Sequence, residues 1–290
     1  PLRLVGSEMC IRDRNAIPGG PFDGEKALSP EVKAALEKRF NLDKPVPEQF
    51  ALYLKNLSHG DFGVSAKTGR DIKTTIFESF KVSAKLGGMA IITALIFGLI
   101  FGSIAALTRN KLPDRLIIFF STLFTSLPSF VFASLLLLVF CVTLKWIPVW
   151  DPNNPNYLLP VIALSAYPMA YITRLTKTSM LDVMGQDYVR TARAKGVAKL
   201  KVIFKHTLRN ALIPVVTYVG PMTASILTGS LVVEKIFTIG GLGAKFVEAI
   251  TNRDYPLIMG TTIFLAILMV TMNLITDIVY KAIDPRIKLD

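Results

Sequence analysis

Side chains able to do chemistry are few and scattered along this sequence. His59 and His206 lie far apart, and neither belongs to an H-E-x-x-H pair or to a Cys/His cluster with metal-ligand spacing. We interpret both as hydrogen-bonding loop residues rather than as metal ligands. Cys10 and Cys141 cannot build a disulfide framework, and Cys141 lies in an apolar segment, where a small buried thiol is expected.

Motifs for nucleotide binding and catalysis are missing as well. The sequence has no G-x-x-x-x-G-K-S/T loop that would hold the phosphates of ATP. It also lacks the convergent Ser/His/Asp or Glu/His set that an intramembrane enzyme would need. We therefore predict a non-catalytic protein that binds no metal and no cofactor of its own.

Two polar residues stand inside the last apolar segment. Asn273 and Asp277 are four residues apart, which places them one turn apart on one face of a helix. A carboxylate inside a membrane is a functional candidate by default. Because Asp277 lies about one turn from the predicted cytoplasmic end, we favour a gating or structural role over substrate binding.

The most distinctive segment is a basic stretch, residues 174–214. Within it, Asp187–Lys195 is predicted to form a short helix that contains small residues and ends at Gly196. Val197–Leu208 is predicted to form a second basic, amphipathic stretch, and Pro214 opens the next apolar segment. A helix with small side chains followed by glycine allows close backbone approach, so it suits docking in a groove of another protein.

The elements around this segment are those of a membrane protein. Hydrophobic residues make up 51% of the 290 residues and charged residues 19%, with a mean hydropathy of +0.47. A helix needs about 20 mostly apolar residues to cross the bilayer core. Five stretches approach or exceed that length: 86–108, 116–143, 157–173, 211–233 and 256–280. The sequence predicts an all-α, polytopic membrane protein, with Gly98-x-x-x-Gly102 as a close-packing face.

Basic residues alternate between the connecting loops. They concentrate at 109–115, at 174–209 and in the C-terminal tail, whereas the loops at 144–156 and 233–255 have few or balanced charges. This positive-inside pattern predicts that the basic loops and the C-terminus are cytoplasmic and that residues 15–85 are extracytoplasmic. The net charge of +12 is thus explained by orientation rather than by binding of nucleic acid.

The N-terminal region is hydrophilic and has a different character. Residues 15–85 contain two amphipathic stretches and are expected to form a cap on the outer mouth of the protein. Residues 1–14, PLRLVGSEMCIRDR, show no apolar run and no helical period. We interpret them as a non-native extension, and we expect a sixth, N-terminal span upstream, which would place both ends in the cytoplasm.

The basic stretch resembles a known family. DYVRTARAKG followed by H-x-L-R-N-A-L-I-P is similar to the cytoplasmic coupling loop of ABC-importer permeases of the peptide and nickel group. In the general family pattern, Glu-Ala-Ala precedes a glycine by six positions, which here corresponds to Arg190, Thr191 and Ala192 ahead of Gly196. The acidic residue is replaced by Arg190, so no role of that glutamate is transferred.

The resemblance implies that the loop at 174–210 couples the protein to a partner ATPase. Ala192, Ala194 and Gly196 would give close contact, and the neighbouring cationic side chains would orient the dock by charge. The full set of predicted coupling residues is Asp187, Tyr188, Arg190, Thr191, Ala192, Arg193, Ala194, Lys195, Gly196, His206, Asn210 and Pro214.

Further segments extend the resemblance over most of the chain. PGGPFDGE at 18–25, NRDYP at 252–256 and AIDPRIK at 282–288 resemble the B-type subunit of oligopeptide permeases. HGDFGVS at 59–65, KVSAKLG at 81–87 and SLVVEKIFTIGGLG at 230–243 fit the wider group.

The resemblance implies a type I ABC-importer transmembrane domain over residues 86–290, placed in the bacterial cytoplasmic (inner) membrane among its lipids. The implied partners are a second permease, two cytoplasmic ATPases that bind ATP and Mg, and an extracytoplasmic peptide-binding protein. A dipeptide or nickel importer of the same group remains an alternative. A different class, an ion-coupled secondary transporter, would show inverted repeats and midplane charges, and neither is evident in the sequence.

Overall fold

The structure, a computed structural model, describes residues 44–283. The predicted extension at 1–14, Cys10, the first outer amphipathic stretch, PGGPFDGE and most of AIDPRIK lie outside these residues.

The described residues fold into helices joined by short connections, which confirms the all-α class. The helices are α1 (Val46–Ser58), α2 (Ile72–Leu107), α3 (Leu112–Ser126), α4 (Ser129–Leu136), α5 (Leu158–Met184), α6 (Asp187–Ala194), α7 (Ile213–Gly229), α8 (Leu231–Ile236), α9 (Leu242–Thr251) and α10 (Tyr255–Ile283). A π-helical segment, Leu137–Thr143, follows α4. A second one, Val202–Leu208, lies between the short α-helical segments Lys199–Lys201 and Arg209–Ala211.

Four of the described helical segments are long and apolar enough to cross a membrane: α2, α5, α7 with α8, and α10. A fifth span results if α3 and the helix after it, Ser129–Thr143, are counted as one bent span. The five predicted spans therefore all correspond to helices, although α2 begins 14 residues before its predicted start and α5 continues to Met184.

The prediction of one continuous segment at 116–143 is wrong in one respect. The helix breaks between Ser126 and Ser129, and the two arms are bent by 105°. Pro128 lacks an N–H and restricts the residue before it to extended backbone, and Leu127 indeed has ψ 128°. Proline therefore ends α3 here instead of only kinking a longer helix.

The chain divides into two compact units, and the described part of the first comprises 44–81 and 244–267. In this unit Asp254 is 2% exposed. It accepts a 2.5 Å hydrogen bond from the Ser65 hydroxyl and a 3.4 Å bond from the Leu257 N–H. Asp254 thus caps the start of α10. The two family-like segments HGDFGVS and NRDYP meet at this contact.

The second unit, described over 82–243 and 268–283, has α5 at its centre. Helix α2 lies against α5 through the predicted glycine face. A Cβ atom on Gly98 would lie 2.7 Å from Ile172 Cγ2, and one on Gly102 would lie 2.7 Å from the Thr173 carbonyl oxygen. Because only glycine fits at these distances, the predicted close-packing role of Gly98-x-x-x-Gly102 is confirmed.

Candidate functional site

Helix α6 lies where the sequence predicts a coupling helix. It begins at Asp187 and ends at Ala194, with Lys195 as its C-terminal cap. Gly196 follows with φ +75°, a left-handed conformation that glycine adopts without a steric penalty. The chain therefore turns sharply after α6 and starts the next helical segment at Lys199.

One side of α6 is buried within the chain. Val189 and Ala192 pack against Val202 of the following segment, and Ala192 is only 7% exposed. The small side chain of Ala192 thus lets the two halves of the loop approach each other. Little of its surface is available to a partner, whereas Ala194 and Gly196 are exposed.

The other side of α6 is exposed and carries a net positive charge. Its exposed residues are Asp187, Tyr188, Arg190, Thr191, Arg193, Ala194, Lys195 and Gly196. Arg190 lies 3.8 Å from Asp187, a solvent-screened pair that contributes little to stability. Most of the predicted coupling residues therefore form one exposed surface, with a small residue at its C-terminal end.

A hydrogen bond ties α6 to the second half of the loop. The side-chain amide of Asn210 donates to the Tyr188 hydroxyl at 2.8 Å and approaches the His206 carbonyl at 3.4 Å. The loop prediction for His59 is confirmed, since its Nδ1 lies 2.8 Å from the Lys55 carbonyl oxygen. His206 lies in a π-helical segment, and its ring makes no hydrogen bond to the residues that the structure describes.

Two exposed apolar residues in this loop escaped the sequence analysis. Leu200 is 69% exposed and Phe204 is 63% exposed. They are four residues apart among lysines, so they lie on one side of the segment. The four-residue spacing of Leu200 and Phe204 indicated that they share one side of a helix. It could not indicate that this side is exposed, because the same spacing is typical of residues that pack inside the chain.

The base of the loop is anchored in the membrane helices. Met180 of α5 and Ala211 after the loop are buried together with Ala106 of α2. Thr207 is fully buried nearby in the sequence. Pro214 lies in the first turn of α7, as predicted. The loop therefore joins two long helices at its root and is exposed at its tip.

A partly buried ion pair lies between α3 and α5. Lys177 Nζ donates to Asp114 Oδ1 at 2.5 Å, and the Asn110 N–H donates to the other carboxylate oxygen at 2.9 Å. Asp114 is 4% exposed. This pair fixes the turn between α2 and α3 to α5. Its partners are 63 residues apart in the sequence, so no local pattern could reveal it.

Asn273 and Asp277 lie on α10, one turn apart, and both are exposed. Neither side chain makes a hydrogen bond within residues 44–283. The structure places them in the last span and outside the coupling loop. Within the same residues, no three His, Cys, Asp or Glu side chains lie close enough to hold a metal ion.

Comparison with known proteins gives consistent matches. Residues 98–289 match the family described as "Binding-protein-dependent transport system inner membrane component". The chain is 47% identical over 288 residues to the dipeptide transport system permease protein DppB of Bacillus subtilis, covering 99% of this chain and 94% of that protein. It is 42% identical over 275 residues to the oligopeptide transport system permease protein OppB of Haemophilus influenzae, covering 93% and 90% respectively.

A solved structure shares the fold. The chain superposes on a chain of the inward-facing MetNI methionine ABC transporter with a TM-score of 0.59 and 15% identity, covering 71% of this chain and 95% of that one. At this identity the likeness concerns the arrangement of the helices.

Proposed function

The chain belongs to the family of binding-protein-dependent transport system inner membrane components, and from this we propose that it is a channel-forming subunit of an ATP-driven oligopeptide importer. Peptides are the proposed cargo because the two relatives compared above are named as permeases for dipeptides and for oligopeptides. Their matches extend over nine-tenths of each chain.

Energy is proposed to enter through the exposed surface of α6. The single observation that supports this role is a loop with an exposed cationic tip and a buried root. A partner can dock at Ala194 and Gly196 without steric hindrance, while Arg190, Arg193 and Lys195 attract an acidic partner surface. The root at Met180 and Ala211 would pass the movement of the docked partner into α2 and α5.

The partners are proposed from the family to which the chain belongs. Two cytoplasmic ATPase subunits would bind ATP and Mg and hydrolyse the nucleotide, so this chain itself would bind no cofactor. A second, homologous permease would complete the channel, and an extracytoplasmic binding protein would deliver the peptide. ATP binding would favour one of two conformations because the ATPases bind the loop differently in the two states.

The orientation is proposed from the charge pattern. The multi-pass chain would have the loop with α6 and the C-terminus in the cytoplasm, and residues 15–85 outside. In the last span, Asn273 and Asp277 are proposed to have a gating or structural role at a surface that the second permease covers, since both are exposed in the isolated chain.

Docking can be tested by co-purification of the tagged, full-length chain with its co-expressed partners. Ala194→Trp is the sharper variant, because Ala194 is exposed within a helix, whereas any side chain at Gly196 would strain a backbone with φ +75°. We expect Ala194→Trp to release the ATPases and abolish peptide-stimulated ATP hydrolysis.

Asn153→Trp provides the matched control, since Asn153 is exposed in the loop on the opposite side. This variant should retain both ATPases. Retention of the ATPases and of transport in Ala194→Trp would contradict the docking role. Uptake by the purified chain alone, driven by an ion gradient, would instead establish a secondary transporter.

Cargo can be tested with the complete complex and its binding protein in proteoliposomes. ATP-dependent uptake of peptides of increasing length is expected. Uptake restricted to dipeptides, or uptake of nickel without peptide, would replace the oligopeptide assignment by the corresponding alternative.

A further inference from the structure

A cleft opens where the α3–α4 span is broken. It has a volume of about 410 Å³ and is bounded by the break, by α5 and by α7. Five of its lining residues carry hydroxyl groups: Thr125, Ser126, Ser129, Tyr167 and Ser225. Leu164 and Pro168 complete the α5 wall. The cleft therefore presents several hydroxyl groups within a mainly apolar lining.

The cleft lies near the middle of the spans that border it. Tyr167 is the tenth of the 27 residues of α5, which places it about 15 Å along that helix. Ser225 is the thirteenth of the 17 residues of α7, about 20 Å from its start. Since the bilayer core is about 30 Å thick, both positions fall in its central part.

The cleft presents free hydrogen-bonding groups. Ser126, Ser129 and Ser225 are exposed, and in the described part of the chain their hydroxyls make no hydrogen bond. Pro168 lies inside α5 and has no N–H to donate to the carbonyl of Leu164, four residues earlier, on the same wall. The cleft thus offers donors and acceptors together, at a depth where water is scarce.

The chemistry of the lining selects a class of ligand. A hydroxyl both donates and accepts a hydrogen bond, as does the amide unit of a peptide main chain. The lining contains no charged side chain among the described residues, so it suits neither a metal ion nor a free charged terminus. A neutral, extended peptide main chain fits it, irrespective of the side chains that it carries.

We propose that this cleft contacts the main chain of the peptide in transit and forms part of the transport path. The proposal rests on the proposed function, since it requires a peptide cargo. It also explains how a permease can accept peptides of different sequences. The hydroxyls and the Leu164 carbonyl would form hydrogen bonds with main-chain amide groups, which all peptides share.

The test uses single cysteines in the assembled complex. Cys10→Ser and Cys141→Ser remove both thiols of the sequence, and cysteine is then introduced by Ser126→Cys, Ser129→Cys or Ser225→Cys. Ser134→Cys is the control, since Ser134 is exposed on α4 and does not line the cleft. Each complex is given ATP, the binding protein and a transported peptide that carries a thiol-reactive disulfide group. We expect a covalent peptide adduct at the three cleft positions and none at Ser134.

A second variant measures transport rather than proximity. Ser225→Leu fills the cleft and should abolish peptide uptake while the ATPases still co-purify, whereas Ser134→Leu should leave uptake unchanged. Adducts of equal yield at Ser134 and at the cleft positions, or normal uptake by Ser225→Leu, would overturn the cleft assignment and leave the importer assignment intact. Absence of peptide uptake in the unmodified complex would overturn both.

Discussion

The two faces of α5 differ in how they meet their neighbours. On one face, Ile172, Thr173 and Thr176 contact the glycines of α2 at distances that exclude even a methyl group. On the other face, Leu164, Tyr167 and Pro168 line an open, hydroxyl-bearing cleft. We call the first contact the glycine seam and the second the cleft face.

The difference indicates which parts can move together. Interdigitated helices without space between them shift as one body, because any relative movement creates overlap or a void. The α2–α5 pair is held in this way, and helix α6 begins three residues after α5 ends. A movement of α6 would therefore shift α2 and α5 together, without a change in the contacts of the glycine seam. The contacts at the cleft face would change, because space is available there.

The largest effect is expected where α3 is held to α5, at the ion pair of Asp114 and Lys177. Asp114→Asn leaves the part-buried ammonium of Lys177 without its counter-charge, which should cost about 2–3 kcal/mol of stability and lower the melting temperature of the purified complex. An exposed pair, Lys245 and Glu248 at 2.7 Å, supplies the control. Glu248→Gln should change stability by less than about 1 kcal/mol. Equal shifts in melting temperature for the two variants would show that the pair of Asp114 and Lys177 does not hold α3 to α5.

The glycine seam can be broken with one methyl group. Gly102→Ala places a Cβ against the Thr173 carbonyl and should destabilise the protein by about 1–3 kcal/mol. Gly88→Ala on the same helix meets no atom within 4 Å, so the gain in helix propensity should leave stability unchanged or raise it by up to about 1 kcal/mol. In thermal unfolding, Gly102→Ala should therefore melt at a lower temperature than the native protein, and Gly88→Ala at the same or a higher temperature. Tolerance of Gly102→Ala would mean that α2 and α5 do not pack closely.

The glycine seam contains a buried hydroxyl group, that of Thr176, which provides a further test. Thr176 is fully buried, and its hydroxyl has no hydrogen-bond partner among the described residues. Thr176→Val removes this unpaired group and should stabilise the protein by about 1 kcal/mol. Thr173 is the control, because its hydroxyl donates to the Met169 carbonyl at 2.8 Å, so Thr173→Val should give no such gain. Loss of stability in Thr176→Val would imply a water or partner group at this position.

The smallest effect on stability is expected at the start of α2, where Asp71 precedes the first helical residue. Asp71 accepts hydrogen bonds from the N–H and the hydroxyl of Thr74, both at 2.7 Å, and these bonds lower the pKa of Asp71 below its ordinary value of 3.8. Because the folded protein favours the ionised carboxylate, its contribution is present above that value and is lost as the pH falls through the lowered pKa.

Asp71→Asn still caps the helix but does not titrate. At neutral pH the native protein should be more stable than this variant by less than about 1 kcal/mol, since the site is exposed. The difference should disappear in acid, as measured by melting temperature at both pH values. A difference in stability that grows on acidification would contradict the assigned direction of the shift in the pKa of Asp71.

Features that depend on neighbouring residues were predictable from the sequence, whereas features that depend on contacts between distant residues were not. Helix α6 was predictable because Asp187 to Gly196 contains its own start, small residues and glycine stop. The inward position of Ala192 was not predicted, since it depends on contact with Val202 across the turn. In the same way, Pro128 was visible in the sequence, but whether it would kink the span or end a helix depended on the surrounding helices.

What the sequence determined by itself is the class of the protein, the number of apolar segments and the position of helix α6. These follow from the length of apolar runs, the placement of basic residues and local helix signals, all of which act within a few turns. Only the tertiary structure decided that Gly102 would meet Thr173, that Asp114 would meet Lys177, and that Ser126 and Ser225 would share a cleft. Such contacts join residues dozens of positions apart, and their formation depends on how whole helices pack, which no local pattern of residues encodes.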